Sequence, residues 1–219
     1  MAGIKVIITG ATGMVGEGVL LECLANDKVD QVLIVNRRHY DLQHPKLKEL
    51  IVPDFLKLND YTEAIKGYDA CFFCAGISSV GMKEEKYRLI TYDTTMAFAK
   101  AFLVANPNTV FTYVSGAQTD STEKGRLMWA RVKGKTENDL VKLPFRGVYN
   151  FRPGVMTPFE GQKNWKQYYK WIANIIKAIA PKSALKVQQV GRAMINAVIN
   201  GYPSQILEVR DIRKLAETP

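Results

Sequence analysis

Residues Ile4 to Leu20 constrain this chain more than any other stretch. The apolar run Ile4-Lys5-Val6-Ile7-Ile8 is followed by Gly10, Gly13 and Gly16, and then by a segment whose apolar residues recur at helical spacing. The pattern predicts a strand, a tight turn and a helix. Glycine permits backbone angles that a side chain forbids and lets the main chain approach a pyrophosphate closely. A helix opening near Gly13 presents unpaired N–H groups and the positive end of its dipole. The spacing is G-x-x-G-x-x-G rather than G-x-G-x-x-G, so the reading rests also on context: the glycines follow a strand, open a helix and begin an α/β pattern. A plain structural turn is the alternative, and a dinucleotide site is the favoured reading.

A second strand is expected at Gln31-Val32-Leu33-Ile34-Val35, emerging at Asn36-Arg37-Arg38-His39. In dinucleotide folds an acidic residue about twenty positions beyond the glycines holds the ribose 2′-hydroxyl of NAD. Asn36 stands there instead. A carboxylate would repel a 2′-phosphate, whereas guanidinium groups bind one through paired, charge-assisted hydrogen bonds. Asn36, Arg37 and Arg38 therefore point to NADP, with NAD less favoured; a solvated arginine pair on a loop is the alternative.

Further along, a short strand is expected at Leu50-Ile51-Val52, then a helix from Tyr61 to Lys66 capped by Asn59 or Asp60, and a strand over Ala70-Cys71-Phe72-Phe73-Cys74 that ends at Ala75-Gly76. Cys71 and Cys74, three residues apart on a strand, point to opposite faces, which disfavours a redox or zinc motif. With only His39 and His44 in the chain, no metal site is expected. A long helix is predicted from Lys83 to Asn106, stopped by Pro107, then a strand over Val110 to Ser115, a helix from Arg126 to Leu143, and a strand over Val148 to Phe151. Beyond these lie an amphipathic helix from Trp165 to Ala180, a helix from Val190 to Asn200 ending at Gly201, a short strand over Gln205 to Val209 and a small terminal helix. The fold expected is an α/β Rossmann architecture, a doubly wound and mainly parallel sheet. Residues 1–154 form the NAD(P)-binding core and 155–219 a C-terminal cap with a returning strand in the same domain.

No run reaches membrane-span length and the first strand begins without a signal peptide, so a cytoplasmic protein is expected. Three cysteines argue against a disulfide framework. The net charge of +9 suggests anionic partners, and the excess is concentrated: from Gly161 to Leu207 there is no Asp or Glu. Lys163, Lys170 and Lys177 recur every seven residues beside the Trp165 to Ala180 helix. A cap over a pocket for an anionic ligand is favoured over a membrane surface or a docking helix, because the apolar face has a sheet domain to pack against.

Taken together, Thr9-Gly10-Ala11-Thr12-Gly13-Met14-Val15-Gly16, Asn36-Arg37, Asp54, Ala75-Gly76, Ser115, Val132-Lys133-Gly134 and Phe151-Arg152-Pro153-Gly154 resemble an atypical short-chain dehydrogenase/reductase. The likeness is to the NAD(P)-binding branch that includes the Tat-interacting oxidoreductase-like protein, and more distantly to nucleotide-sugar epimerases. It runs along nearly the whole chain. The resemblance implies that Gly10, Thr12, Gly13, Met14 and Val15 contact the pyrophosphate, that Arg37 and Arg38 hold the 2′-phosphate, that Asp54 and Phe55 border the adenine, and that Ala75 and Gly76 lie along the ribose. Lys133 matches the lysine that binds the nicotinamide ribose, and Ser115 the serine that polarises a substrate carbonyl. Four residues before Lys133, where active members carry tyrosine, stands Trp129. An indole N–H does not deliver a proton at ordinary pH. Tyr113, two residues before Ser115, is a candidate substitute, although a tyrosine there is more often a packing residue.

Two functions follow as expectations. One is an NADP-dependent oxidoreductase or epimerase-like enzyme acting on a small carbonyl or hydroxyl compound. The other, favoured by Trp129, is a non-catalytic NADPH-binding regulatory protein acting through a protein partner. Nucleic-acid binding is disfavoured for want of a reading motif.

Overall fold

The computed structural model describes residues 3–158, 162–163 and 184–218. Strands β1 (Ile4–Thr9), β2 (Val29–Asn36), β3 (Leu47–Ile51), β4 (Ala70–Phe73), β5 (Val110–Val114), β6 (Gly147–Arg152) and β9 (Ile206–Glu208) form one sheet in the order β3-β2-β1-β4-β5-β6-β9, every pair parallel. Two short strands, β7 (Val155–Thr157) and β8 (Ala184–Lys186), pair separately. The helices are α1 (Met14–Ala25), α2 (Glu84–Arg88), α3 (Thr94–Ala105), α4 (Met128–Leu140), α5 (Val187–Asn200) and α6 (Val209–Ala216). This is the doubly wound Rossmann sheet, reversing its winding between β1 and β4, where such sheets open their ligand crevice.

Strand alternation assigns the core to two faces. Val6 and Ile8 of β1, Val32 and Ile34 of β2 and Phe72 of β4 pack with Val19 and Leu20 of α1, Met194 and Ile195 of α5 and Ile212 of α6. Ile7, Leu33, Val35, Cys71, Phe73, Phe111 and Tyr113 face the other way, against Phe98 and Phe102 of α3 and Leu140 of α4. Both sets are buried, which is why the strands read as nearly continuous apolar runs. Cys71 lies in one layer and Cys74 packs against the other, so the two thiols are on opposite sides of the sheet as their spacing requires.

β3 begins at Leu47 rather than at the expected Leu50, and two helical elements also differ from expectation. Where a helix is expected from Tyr61 to Lys66, capped by Asn59 or Asp60, the chain runs as 3₁₀ turns over Phe55–Ile65, broken by non-helical backbone at Lys57 and Tyr61, the first turn capped by Asp54, whose Oδ1 accepts the Leu56 N–H at 3.0 Å. Its burial of Phe55, Leu58 and Ile65 against the α3 face decides the start. The long helix after Lys83 is interrupted by a π turn, Leu89–Asp93, between α2 and α3. The expected helix from Trp165 to Ala180, with Lys170 and Lys177, lies outside the described residues.

One ion-pair network fixes α4 against the sheet. Arg152, at the end of β6 and 8% exposed, donates through Nε to Glu137 Oε1 at 3.0 Å and through Nη2 to Glu137 Oε2, while Nη1 reaches Glu208 Oε1 at 3.2 Å. Glu137 is 1% exposed, one helical turn after Lys133. Removing one partner of such a pair strands a buried charge. Glu137→Ala is therefore expected to cost about 3 kcal/mol or more in urea unfolding, with part recovered in Glu137→Met/Arg152→Met.

Candidate functional site

The crevice at the carboxyl ends of β1 and β4 is built from backbone. Gly10 has φ +73°, and a Cβ there would lie 2.7 Å from the Ala75 nitrogen. Thr9 Oγ1 accepts the Ala75 N–H at 3.1 Å, tying the two strand ends together. Inside the turn the Gly13 N–H donates to Gly10 O at 2.9 Å, and a Cβ on Gly16 would lie 2.1 Å from that same oxygen. Gly10 and Gly16 are thus required by the turn. Gly13 is not: its φ is −101°, and an added Cβ would meet only Gly10 O at 3.4 Å. A Cβ on Gly76 would meet nothing within 4 Å. The turn and strand ends form a backbone cradle in which Gly76 borders open space, Gly13 has only the Gly10 carbonyl near it, and no side chain caps the first turn of α1. Thr12 is exposed, and Met14 and Val15 are half-buried beside it.

Around this cradle the sequence-derived residues divide. Asn36 is buried at the end of β2, and Arg37 and Arg38 are exposed, with no hydrogen bond or ion pair among the described residues. Asp54 is exposed but spends one oxygen as a cap. Phe55 is 7% exposed and its ring lies 5.4 Å from that of Phe98, so it is turned into the core and does not line an open adenine pocket.

On the far side, β5 and α4 bring Ser115 and Lys133 together. Lys133 Nζ donates to the carbonyls of Val114 at 3.2 Å and Ser115 at 3.1 Å. It stands 5.4 Å from the centroid of the Tyr113 ring. Burial holds the Lys133 ammonium down to about 8, with Glu137 acting in the opposite direction. Tyr113 itself is 1% exposed and belongs to the core layer of Phe73 and Phe111. Burial pushes its phenol far above the usual value. The substitute-donor role therefore gains no support from its position. Trp129 is half-buried, with Cζ3 3.6 Å from where a Cβ on Gly116 would lie.

Ser115 Oγ lies 2.9 Å from Thr119 Oγ1, which in turn donates to the Gly116 carbonyl at 2.8 Å. A hydroxyl has one hydrogen. With that of Thr119 spent on the carbonyl, Ser115 is the donor of the pair, so a substrate oxygen must compete for its proton. Thr119 has no motif to announce it; only the loop after β5 brings it to Ser115. Glu49 and Glu17, which hold the loop carrying Arg37 and Arg38, were equally beyond sequence reasoning, since strand register and a long-range contact place them.

A family model described as the NAD dependent epimerase/dehydratase family matches residues 6–132, more than half of the chain. Protein HTATIP2 of Rattus norvegicus is 26% identical over 209 residues, covering 92% of this chain and 84% of that protein. Protein FMP52-2, mitochondrial, of Scheffersomyces stipitis is 30% identical over 152 residues, covering 68% of this chain and 65% of the relative. Among solved structures, the Bordetella bronchiseptica enzyme WbmF in complex with NAD+ superimposes with a TM-score of 0.68 at 15% identity, covering 98% of this chain and 77% of that one. NADPH-bound carbonyl reductase from chicken fatty liver gives 0.66 at 13% identity, covering 96% and 98%. At these identities the structural likeness is one of fold. Among the described residues no helix is long and apolar enough to cross a membrane.

Two outcomes test the geometry. Gly16→Ala is expected to lower the thermal midpoint sharply, whereas Gly13→Ala should leave it within about 3 °C while weakening dinucleotide affinity at least tenfold by calorimetry. Lys133 supplies the second. Its folded value near 8 lies below the ordinary 10.5, so the unfolded chain binds more protons between them. The burial cost is fully present below about pH 8 and is relieved as pH rises toward 10.5. Relative to Lys133→Met, the wild type should gain stability from pH 7.5 to 10 in urea unfolding.

Proposed function

The chain belongs to the NAD dependent epimerase/dehydratase family, and on that premise we propose that it is an NADP(H)-binding protein of the short-chain dehydrogenase/reductase type whose carbonyl chemistry is slow. The observation that carries the reading is the pairing of a glycine-built cradle with a catalytic side where Trp129 stands four residues before Lys133 and, among the described residues, Tyr113 is enclosed in the core. Family membership supports a nicotinamide dinucleotide of either kind; the choice of NADP rests on Arg37 and Arg38, exposed and without partners among the described residues, beside a strand end that carries Asn36 where a carboxylate would repel phosphate.

The bound nicotinamide supplies hydride transfer. The residues Gly10, Thr12, Gly13, Met14 and Val15 would line the pyrophosphate, received by N–H groups of the first turn of α1, while the Gly13 N–H stays with Gly10 O. Ala75 and Gly76 would flank the ribose, and Lys133 would hold the second ribose through its ammonium. Asp54 keeps an exposed carboxylate near the adenine end, while Phe55 contributes packing beneath it. A small carbonyl compound would be oriented by the Ser115 hydroxyl, which must first leave Thr119. The oxygen that gains negative charge needs a proton, and the position that supplies it in active members is Trp129, a donor that keeps its hydrogen. General acid catalysis typically contributes roughly 10² to 10⁴-fold. Its loss leaves slow turnover, provided orientation survives.

A second reading is a regulatory protein that reports NADPH state to a protein partner. The enclosed Tyr113 and the spent Ser115 hydrogen favour it, since binding geometry is kept where catalytic geometry is not. One set of measurements decides between them. Calorimetry should give tighter binding of NADPH than NADH, with the preference lost in Arg37→Ala/Arg38→Ala. NADPH oxidation against aldehydes, ketones and nucleotide sugars should be slow in wild type and rise in Trp129→Tyr. Fast wild-type turnover abolished by Tyr113→Phe would overturn the assignment of Tyr113 to packing, and equal affinities would remove the NADP reading.

A further inference from the structure

The loop that follows β2 carries Arg37 and Arg38 between two anchored ends, and one carboxylate holds both. Glu49 stands on β3, where Ile34 of β2 is its register partner. Its Oε1 accepts the Asn36 amide Nδ2 at 3.3 Å and the Tyr40 backbone N–H at 2.8 Å, and its Oε2 faces His39 Nδ1. Asn36 and Tyr40 thus close on a single side chain, with the arginines in the span between. A second carboxylate continues the fastening. The Tyr40 hydroxyl donates to Glu17 Oε1 at 2.9 Å, and Glu17 lies in the first turn of α1, 1% exposed. The loop is therefore tied to its neighbouring strand at one point and to the pyrophosphate-binding helix at another.

We propose that Glu49 is a positioning residue for cofactor choice, a staple that closes residues 36–40 so that Arg37 and Arg38 are presented together to the 2′-phosphate. The inference rests on the NADP(H) reading given above and adds the residue that makes that preference possible. Two exposed arginine side chains on a free loop would each lose rotamer and backbone freedom on meeting a phosphate. Anchoring the loop at both ends removes the backbone part of that cost before the ligand arrives. Glu49 donates nothing to the phosphate itself, and its charge acts the other way: a carboxylate near a dianion repels it, weakly at a solvated surface and subject to screening by salt. The two roles predict opposite signs. A bare charge, once removed, would improve NADPH binding. A staple, once removed, worsens it.

The test is the ratio of dissociation constants for NADH and NADPH, measured by calorimetry in wild type, Glu49→Ala, Glu49→Gln and Arg37→Ala/Arg38→Ala. NADH lacks only the 2′-phosphate, so its affinity reports folding and the rest of the site. In Glu49→Ala the NADPH affinity should fall about tenfold, with the NADH affinity within about twofold of wild type, bringing the ratio toward that of the double arginine variant. Glu49→Gln keeps an acceptor for the Tyr40 N–H and should keep most of the preference. A wild-type preference that survives or grows in Glu49→Ala overturns the staple alone. Equal fallings of both affinities show a structural role and overturn it as well. A wild-type ratio of one removes the NADP reading and the staple with it.

Discussion

Everything in this molecule depends on how closely three stretches of backbone meet at the ends of β1 and β4. Gly16 rests on the carbonyl of Gly10, and Gly10 rests on the amide of Ala75, at separations where a methyl group has no room. That contact sets the entry angle of α1 and the direction of the N–H groups in its first turn. The apolar layers on both faces then hold the contact in place. Interior packing tolerates few voids, so the position of α1 over β1 is inherited by α5, which packs on it.

The crevice has two sides with different fates. Toward β2 and β3 it carries two exposed guanidiniums, Arg37 and Arg38, on a loop fastened by Glu49 and Glu17. Toward β5 and α4 Lys133 donates to two backbone carbonyls and Ser115 Oγ is paired with Thr119 Oγ1. On the proposed reading, binding and turnover draw on separate groups, and a chain can lose one while keeping the other.

The legible parts of the sequence were those governed by local rules. The β1 turn was readable because glycine at a strand end has few meanings, and the opposite facing of Cys71 and Cys74 follows from alternation alone. The end of α5 at Gly201 could be read the same way, its φ of +69° being one that few other residues adopt. Asp54 as a cap was missed because what starts the 3₁₀ segment is the burial of Phe55 beneath α3, a contact between residues 43 positions apart in the chain. The π turn at Leu89–Asp93 was hidden because no glycine or proline marks it within the helical run. Thr119, Glu49 and Glu17 were out of reach for a further reason: each acts on a segment that only strand register or loop closure brings near.

The strand order carries a consequence for how the chain comes to be made. β1 is an inner strand that meets β2 soon after synthesis begins, and β4, β5 and β6 then extend the sheet in one direction while β3 closes the other side. The far edge, however, is β9, whose pairing with β6 joins Asn150 to Ile206 across a long excursion of chain. Until the ribosome has passed residue 208, β6 has an open rim and Arg152 lacks one of its carboxylates. Non-local parallel pairing of this kind is slow to form and leaves unpaired backbone in the meantime. A three-residue strand, β9, thus replaces the longer β6 as the rim on that side, and leaves a neighbour far less backbone to pair with.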